Sequence, residues 1–178
     1  TGEREESQES TDGLEVRVNE PLDFALKSLK RDHPYLMTRQ LTEHTTAHFG
    51  VGFASRGTMR GRIAIPIHNE DGELVGYTGR LVDDEAICED HPKYRFPSKR
   101  KRDGVMHEFR KNELLYNEHR VAAEGLVEEL IVVEGAFDVM WLWQQGYRHA
   151  VALLGSSCSD TQAQRLLDLV SKDGLIWI

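Results

Sequence analysis

Toward the C-terminal end of the chain, apolar and polar residues fall into a regular alternation of two periods. Leu130-Ile131-Val132-Val133 is a short β-former run and predicts a strand. Ala136–Gln145 has helical spacing and is stopped by Gly146. Ala150–Leu154 predicts a second strand, Asp160–Ser171 a second helix, and Leu175–Ile178 a third strand after Asp173-Gly174. This βαβαβ order predicts a parallel sheet with crossover helices, and therefore an α/β fold. Trp141 and Trp143 fall in or beside the first of those helices. The first strand ends abruptly at Glu134 and Gly135, and Asp138 follows on the first helical turn. An acid delivered to the C-terminal edge of a parallel sheet is a common way to build a site.

The upstream pattern is α+β. Arg62–His68 and Glu73–Val82 read as strands, and Asn69-Glu70-Asp71-Gly72 between them predicts a β-hairpin. Pro66 fits an edge or a bulge, and Gly76 and Gly79 suggest bulges or close approach of another backbone. Pro34 opens a short helix through Gln40, with Tyr35, Leu36 and Leu41 facing a core. Thr42 caps a second helix over Glu43–Phe49. Pro21–Lys30 supports two readings. Leu22, Phe24 and Leu26 alternate as in a half-buried strand, whereas Leu22, Leu26 and Leu29 suit a helix. Asn112–Gly125 predicts a helix with Leu114, Leu115 and His119 on one face. The chain thus divides into an acidic lead-in over residues 1–20, an α+β subdomain over 21–125, and the parallel unit over 126–178.

Charge sharpens this division. The formal net charge is −8, and residues 1–20 alone hold seven acids against two arginines. A strongly basic nucleic-acid binder is excluded as a whole, so any such binding needs a local patch. Residues 93–111 provide one: Lys93, Arg95, Lys99, Arg100, Lys101, Arg102, Arg110 and Lys111 interleave with Tyr94, Phe96 and Phe109. That mixture suits phosphate contacts and base stacking, and equally a solvated loop with a few salt bridges. Two cysteines far apart argue against a disulfide framework and for a reducing compartment. No apolar run reaches the length of a membrane span, and the acidic start is wrong for a signal peptide. A cytoplasmic protein is expected.

Glu134 and Asp138 are the first candidates for chemistry, since two acids near a helix start can share Mg²⁺. Helix-dipole and capping roles are the plain alternative. Ser156, Ser157 and Ser159 after Gly155 can hold a phosphate on backbone N–H groups, or cap the next helix. His44 and His48 have i, i+4 spacing, and Cys88 and His91 a C-x-x-H spacing. Neither has the further ligands a zinc site needs, so packing or surface roles are the better reading, and no zinc is expected. Walker A and G-x-G-x-x-G loops are absent.

Two stretches carry a family resemblance. Val132-Val133-Glu134-Gly135-Ala136-Phe137-Asp138-Val139, then Ala152-Leu153-Leu154-Gly155-Ser156-Ser157 and Thr161-Gln162, resemble the TOPRIM domain of bacterial DnaG-type primases. Phe49-Gly50-Val51-Gly52-Phe53, the hairpin with Gly76-Tyr77-Thr78-Gly79-Arg80, Pro92-Lys93-Tyr94 and Phe109–Tyr116 resemble the N-terminal subdomain of the same polymerase core. The resemblance runs from about Pro21 to Ile178. It implies template-directed synthesis of RNA primers, with single-stranded DNA and NTPs as partners and a replicative helicase as a further candidate. It assigns Glu134 to catalysis, and Glu134 and Asp138 to Mg²⁺ or Mn²⁺, with in-line attack assisted by the metals. Arg62, Arg80, Lys93 and Lys111 match basic positions for nucleic acid or nucleotide phosphate, and Lys99–Arg102 and Arg110 extend that set.

The sequence departs from the family in three places. The family's Asp-x-Asp follows the third strand, where this sequence stops at Ile178, so the remaining metal ligands are expected beyond it and the piece alone is expected to be inactive. The family's zinc domain is absent, and residues 1–20 read as the linker from it. Arg95-Phe96-Pro97-Ser98 replaces an Asn-containing stretch, and the basic loop is extended. Another TOPRIM enzyme, a nuclease or a topoisomerase, and a non-catalytic nucleic-acid-binding module of a mobile element are the alternatives. The upstream hairpin and basic segment weigh against the nuclease.

Overall fold

The Asn69–Gly72 turn closes the predicted hairpin in the computed structural model, which describes residues 15–178. Strands β3 (Arg62–His68) and β4 (Leu74–Leu81) pair antiparallel, and β2 (Gly52–Ala54) and β5 (Tyr94–Arg95) complete a four-stranded sheet in the order β2-β3-β4-β5. Every residue of β3 except His68 is buried, so both faces of the strand are covered. Ile63, Ile65 and Ile67 turn to one face, where Arg80, Thr78 and Gly76 stand opposite them on β4. Arg62 and Ala64 turn to the other. Pro66 is tolerated because the β2 ladder covers residues 62–64 alone.

Helices α1 (Pro34–Thr38) and α2 (Glu43–His48) precede this sheet, the second capped by the Thr42 hydroxyl, which accepts from the Thr45 N–H. Residues 21–30 form neither helix nor strand beyond a bridge from Lys30 to Phe53. Leu22, Leu26 and Leu29 nonetheless pack on a small core around Ala54, Met59, Ala64 and Tyr77, while Phe24 is exposed. Gly52 and Gly79 are required by close approach. A Cβ on Gly52 would lie 2.8 Å from Leu29 Cβ, and one on Gly79 2.7 Å from Met59 Sδ.

Strand β1 (Val16–Val18) corrects part of the expected lead-in. It runs parallel to β7 (Val105–Glu108), which pairs antiparallel with β6 (Arg100–Arg102). The rest of that acidic stretch, residues 1–14, lies outside the described residues. Val16 and Val18 offer an extended backbone to a hairpin whose outer edge is otherwise open.

The parallel unit is as predicted in order. Strands β8 (Val127–Val133), β9 (Ala150–Ala152) and β10 (Val170–Trp177) form a parallel sheet ordered β10-β8-β9, with α4 (Ala136–Gln144) and α5 (Asp160–Leu169) as crossovers. Helix α5 ends at Leu169 rather than Ser171, because the chain enters β10 at once and bulges between Val170 and Leu175.

The helix expected over 112–125 is broken in two. A 3₁₀ turn spans Lys111–Glu113 and α3 spans Glu118–Ala122, with Tyr116 bridged to Ala152 between them. Leu114 packs in one core and Leu115 in another, so one helical face cannot serve both. Asn117 takes a left-handed φ of 74° to make the switch. The larger core joins Phe49, Val51 and Ile63 to Phe137, Val139, Met140 and Ala152, and so crosses residue 125 without a seam. Gln144 ties the halves further: its carbonyl accepts from Thr42 N and Thr45 Oγ1, and its amide donates to Gln40 O.

Candidate functional site at the edge of the parallel sheet

Glu134 leaves the C-terminal end of β8 and Asp138 lies one turn into α4. Both are exposed, and neither carboxylate makes a hydrogen bond or ion pair among the described residues. Gly135, the N-cap of α4, is extended at φ −122°, so its role is space and not backbone freedom. A Cβ there would stand 3.0 Å from Asp138 Oδ2. The glycine lets the Asp138 carboxylate fold back over the helix start, where the helix dipole favours an anion. Two unpaired carboxylates are an oxygen donor set suited to a hard divalent cation. Among the described residues no third Asp, Glu, His or Cys joins them.

The neighbouring loop, after β9, reaches the same edge. Leu154 has φ +58°, an unusual conformation for a non-glycine residue. Its carbonyl accepts a hydrogen bond of 3.0 Å from Lys111 Nζ. A Cβ on Gly155 would lie 3.2 Å from that nitrogen, so glycine is what admits the lysine. Ser159 and Gln162 form a capping box on α5. The buried Gln162 amide also donates to Leu114 O at 2.8 Å and Leu153 O at 3.0 Å. The residue-111 segment is therefore fixed to the sheet edge from two sides.

Lys111 Nζ lies 5.1 Å from the centre of the Phe96 ring, which stacks with Phe109 at 6.2 Å. Behind those rings opens a cavity of about 490 Å³, lined among others by Phe24, Tyr77, Phe96, Phe109, Arg95 and Arg100. The predicted interleaving of aromatic and basic residues is thus a physical surface. Its outer charges are largely paired. Lys99 meets Glu108 at 2.7 Å, Arg102 meets Asp103 at 3.4 Å, and Arg110 bridges Glu108 and Glu113. Lys101 also has a partner, and Arg100 is exposed on the cavity rim.

Two of the expected phosphate contacts are turned inward. Arg62 is 2% exposed and lies on the sheet face away from Glu134. Its Nη1 donates to Gly79 O and Pro92 O, and burial lowers its pKa, helped by Arg95 and Arg80. Arg62 therefore pins the β4–β5 connection and does not reach the acid edge. Arg80 is 1% exposed but sits on the near face, between the rings of Tyr35 and Tyr94. Lys93 is exposed beside it.

Arg39 joins the site without having been singled out in the sequence. Its guanidinium lies 5.4 Å from the rings of both Tyr35 and Phe137, next to Asp138 in the chain. It donates to the Tyr35 hydroxyl at 2.8 Å. Burial pushes the Tyr94 phenol up, and Asp138 adds to that rise, so the two groups are near neighbours. The Tyr35-x-x-x-Arg39 spacing was the available signal, since residues four apart on a helix meet. His44 and His48, the weighed metal pair, both face Trp143, His48 stacked at 4.1 Å. Cys88 and His91 close a turn through two mutual backbone hydrogen bonds.

Comparison with known proteins follows this geometry. A Toprim domain model matches residues 128–176. The DNA primase of Deinococcus radiodurans is 39% identical over 110 residues, covering 61% of this chain and 17% of the relative. That of Rickettsia prowazekii is 28% identical over 166 residues, covering 74% and 26%. Among solved structures, a DnaG primase catalytic domain bound to ssDNA superposes with a TM-score of 0.63 at 25% identity, over 79% of this chain and 51% of that one. A DNA primase domain from Pseudomonas aeruginosa gives 0.61 at 28%, over 77% and 50%. The chain spans about a quarter or less of these curated relatives and about half of the solved domains.

Proposed function

From a chain whose two halves both match the bacterial DnaG-type primase core, we infer that the parent protein is a DNA primase, a DNA-directed RNA polymerase that copies single-stranded template into RNA primers. The observation that carries this reading is Lys111. It joins the aromatic and basic segment to the sheet edge that bears Glu134, 3.0 Å from the carbonyl at the end of the β9 loop. That tie supports reading the aromatic and basic segment and the acid edge as parts of one working surface. A nuclease needs no such upstream surface built into its core.

Glu134 and Asp138 would hold the divalent cation, Mg²⁺ or Mn²⁺, together with ligands from outside the described residues. Bound there, the metal supplies charge neutralisation at the phosphates and a more nucleophilic 3′-hydroxyl. The chain's own groups bind and orient. Arg80, Lys93 and Lys111 face nucleotide phosphates, with Arg39 added to them. Phe96, Phe109, Arg95 and Arg100 suit a single strand, the rings for stacking and the cations for its backbone. Lys99, Lys101, Arg102 and Arg110 contribute to the field around that track. Arg62 is left out of this set because its guanidinium is committed to two carbonyls. The same reading brings nucleoside triphosphates as substrates and a replicative helicase as partner of the whole protein. With two carboxylates alone, the 178-residue chain is expected to make no primers.

The test is primer synthesis by the full-length protein on single-stranded template, with Glu134→Gln. A fall of roughly 10²-fold or more is expected if the carboxylate holds catalytic metal. Full activity in that variant would remove Glu134 from the chemistry.

A further inference from the structure

Residues 82–93 connect β4 to β5 through an acidic loop to which primer synthesis assigns no role. Asp84 in that loop has a side chain 67% exposed, yet it meets Arg80 Nη2 at 2.6 Å, a side chain 1% exposed. The Arg80 guanidinium is held between Tyr35 and Tyr94 at 5.3 and 5.7 Å, and it donates to Leu81 O. Its Nε is buried without a partner. Lys93 and Arg39 also act on the Asp84 carboxylate, after Arg80, to favour its ionised form. Arg39 and Arg80 share the Tyr35 ring, and Lys93 adjoins Tyr94, the other ring on Arg80, so cations from three separate segments gather on the side of Arg80 that Asp84 occupies. Arg39 also lies on Phe137, the neighbour of Asp138 in the chain.

A fixed, aromatic-walled guanidinium flanked by two further cations is an anion site. A carboxylate and a phosphate present similar oxygen pairs to such a fork. The carboxylate here comes from the exposed near end of a loop that Arg62 pins at its far end, at Pro92 O, and that has few ties around Asp84 itself. Asp83 accepts from Glu85 N, and Ile87 N donates to Asp84 O at 3.4 Å. The Asp84 end of the pair is open to solvent, so an anion that takes its place on Arg80 leaves no buried charge unpaired.

We propose that Asp84 is a resident phosphate mimic, whose carboxylate occupies the anion site of Arg80, Arg39 and Lys93 and must be displaced by the nucleotide's phosphates. This rests on the nucleotide reading given above. It deepens that reading by adding selectivity. A single carboxylate yields to a triphosphate more readily than to a monophosphate, because the triphosphate carries more charge into the same three cations.

Titration calorimetry of the full chain with inorganic tripolyphosphate and with inorganic phosphate tests this. Asp84→Ala and Asp84→Asn should bind tripolyphosphate roughly three- to tenfold more tightly than the parent. The preference for tripolyphosphate over phosphate should narrow in both. Asp83→Asn, which removes a neighbouring charge not in contact with Arg80, should change neither. Unchanged or weaker binding in Asp84→Ala, or an equal gain in Asp83→Asn, overturns the mimic. If the parent binds tripolyphosphate and Asp84 has no effect, the mimic fails and the nucleotide reading stands. If neither parent nor Asp84→Ala binds it, both fail.

Discussion

Arg62 on one side, and Glu134 and Asp138 on the other, look equally functional as letters in the chain, yet folding treats them oppositely. Arg62 is buried to 2% exposure and its guanidinium is hydrogen-bonded to two carbonyls. The two acids are exposed, and their carboxylates have no hydrogen-bond or ion-pair partner among the described residues. A buried charge is tolerated where its donors are used, and there it holds structure. An exposed acid left unpaired at a sheet edge is available to a ligand. What separates architecture from chemistry in this protein is whether the charge has already been spent.

The sharpest way to break that contrast is Arg62→Ala. The variant should lose about 2–4 kcal/mol of stability in urea denaturation, since the buried Gly79 carbonyl and Pro92 O lose their donor and the buried side chain leaves a void. Its affinity for single-stranded DNA should stay within about twofold. Weakened DNA binding with stability intact would move Arg62 to the open set.

Acid provides the next largest effect. Burial first, and then Arg120, hold the His119 pKa down to about 4 from an ordinary 6.5. The unfolded chain therefore binds the proton first. Stability is full above about 6.5, declines as pH falls through that window, and stops declining from this source below about 4. His48 and His68 are lowered too, burial again leading. His119 alone should cost about 1–2 kcal/mol between pH 7 and 4.5, discounted for its partial exposure, and the other two act in the same direction. His119→Gln should flatten the acid limb of a denaturation series, and an unchanged slope would deny the histidine its part.

Lys111→Ala should weaken oligonucleotide binding by about tenfold, near 1.4 kcal/mol, while the urea midpoint barely moves. A stability loss as large as that of Arg62→Ala would make Lys111 a structural tie. Lys99→Ala should do least. Its exposed pair with Glu108 is worth under about 1 kcal/mol, and its loss should lower the salt slope of DNA binding by about one if it meets a phosphate.

Local chemistry was legible where neighbours in sequence decide the outcome. Asp71-Gly72, the Thr42 cap, the capping role open to the serines before α5 and the βαβαβ order all follow from spacing and turn residues. The segment after Asn112 was not legible, because Leu114 and Leu115 answer to two different cores that are assembled from distant strands. Strand β1 was hidden for a similar reason, as its partner β7 lies about ninety residues away. At the site, Glu134 and Asp138 stood out by position. The orientation of Arg62 did not, since one step along a strand reverses the face. Arg39 escaped because its meaning comes from Phe137, far along the chain.

The seamless core across residue 125 has a mechanical consequence. Parting the two halves like jaws would strip Phe49, Val51 and Ile63 from Phe137 and Met140, at ~25 cal/mol for each Å² of apolar surface exposed. That shared burial resists a rigid-body hinge between the halves, so adjustment around the acid edge is left to the loops and side chains that border it.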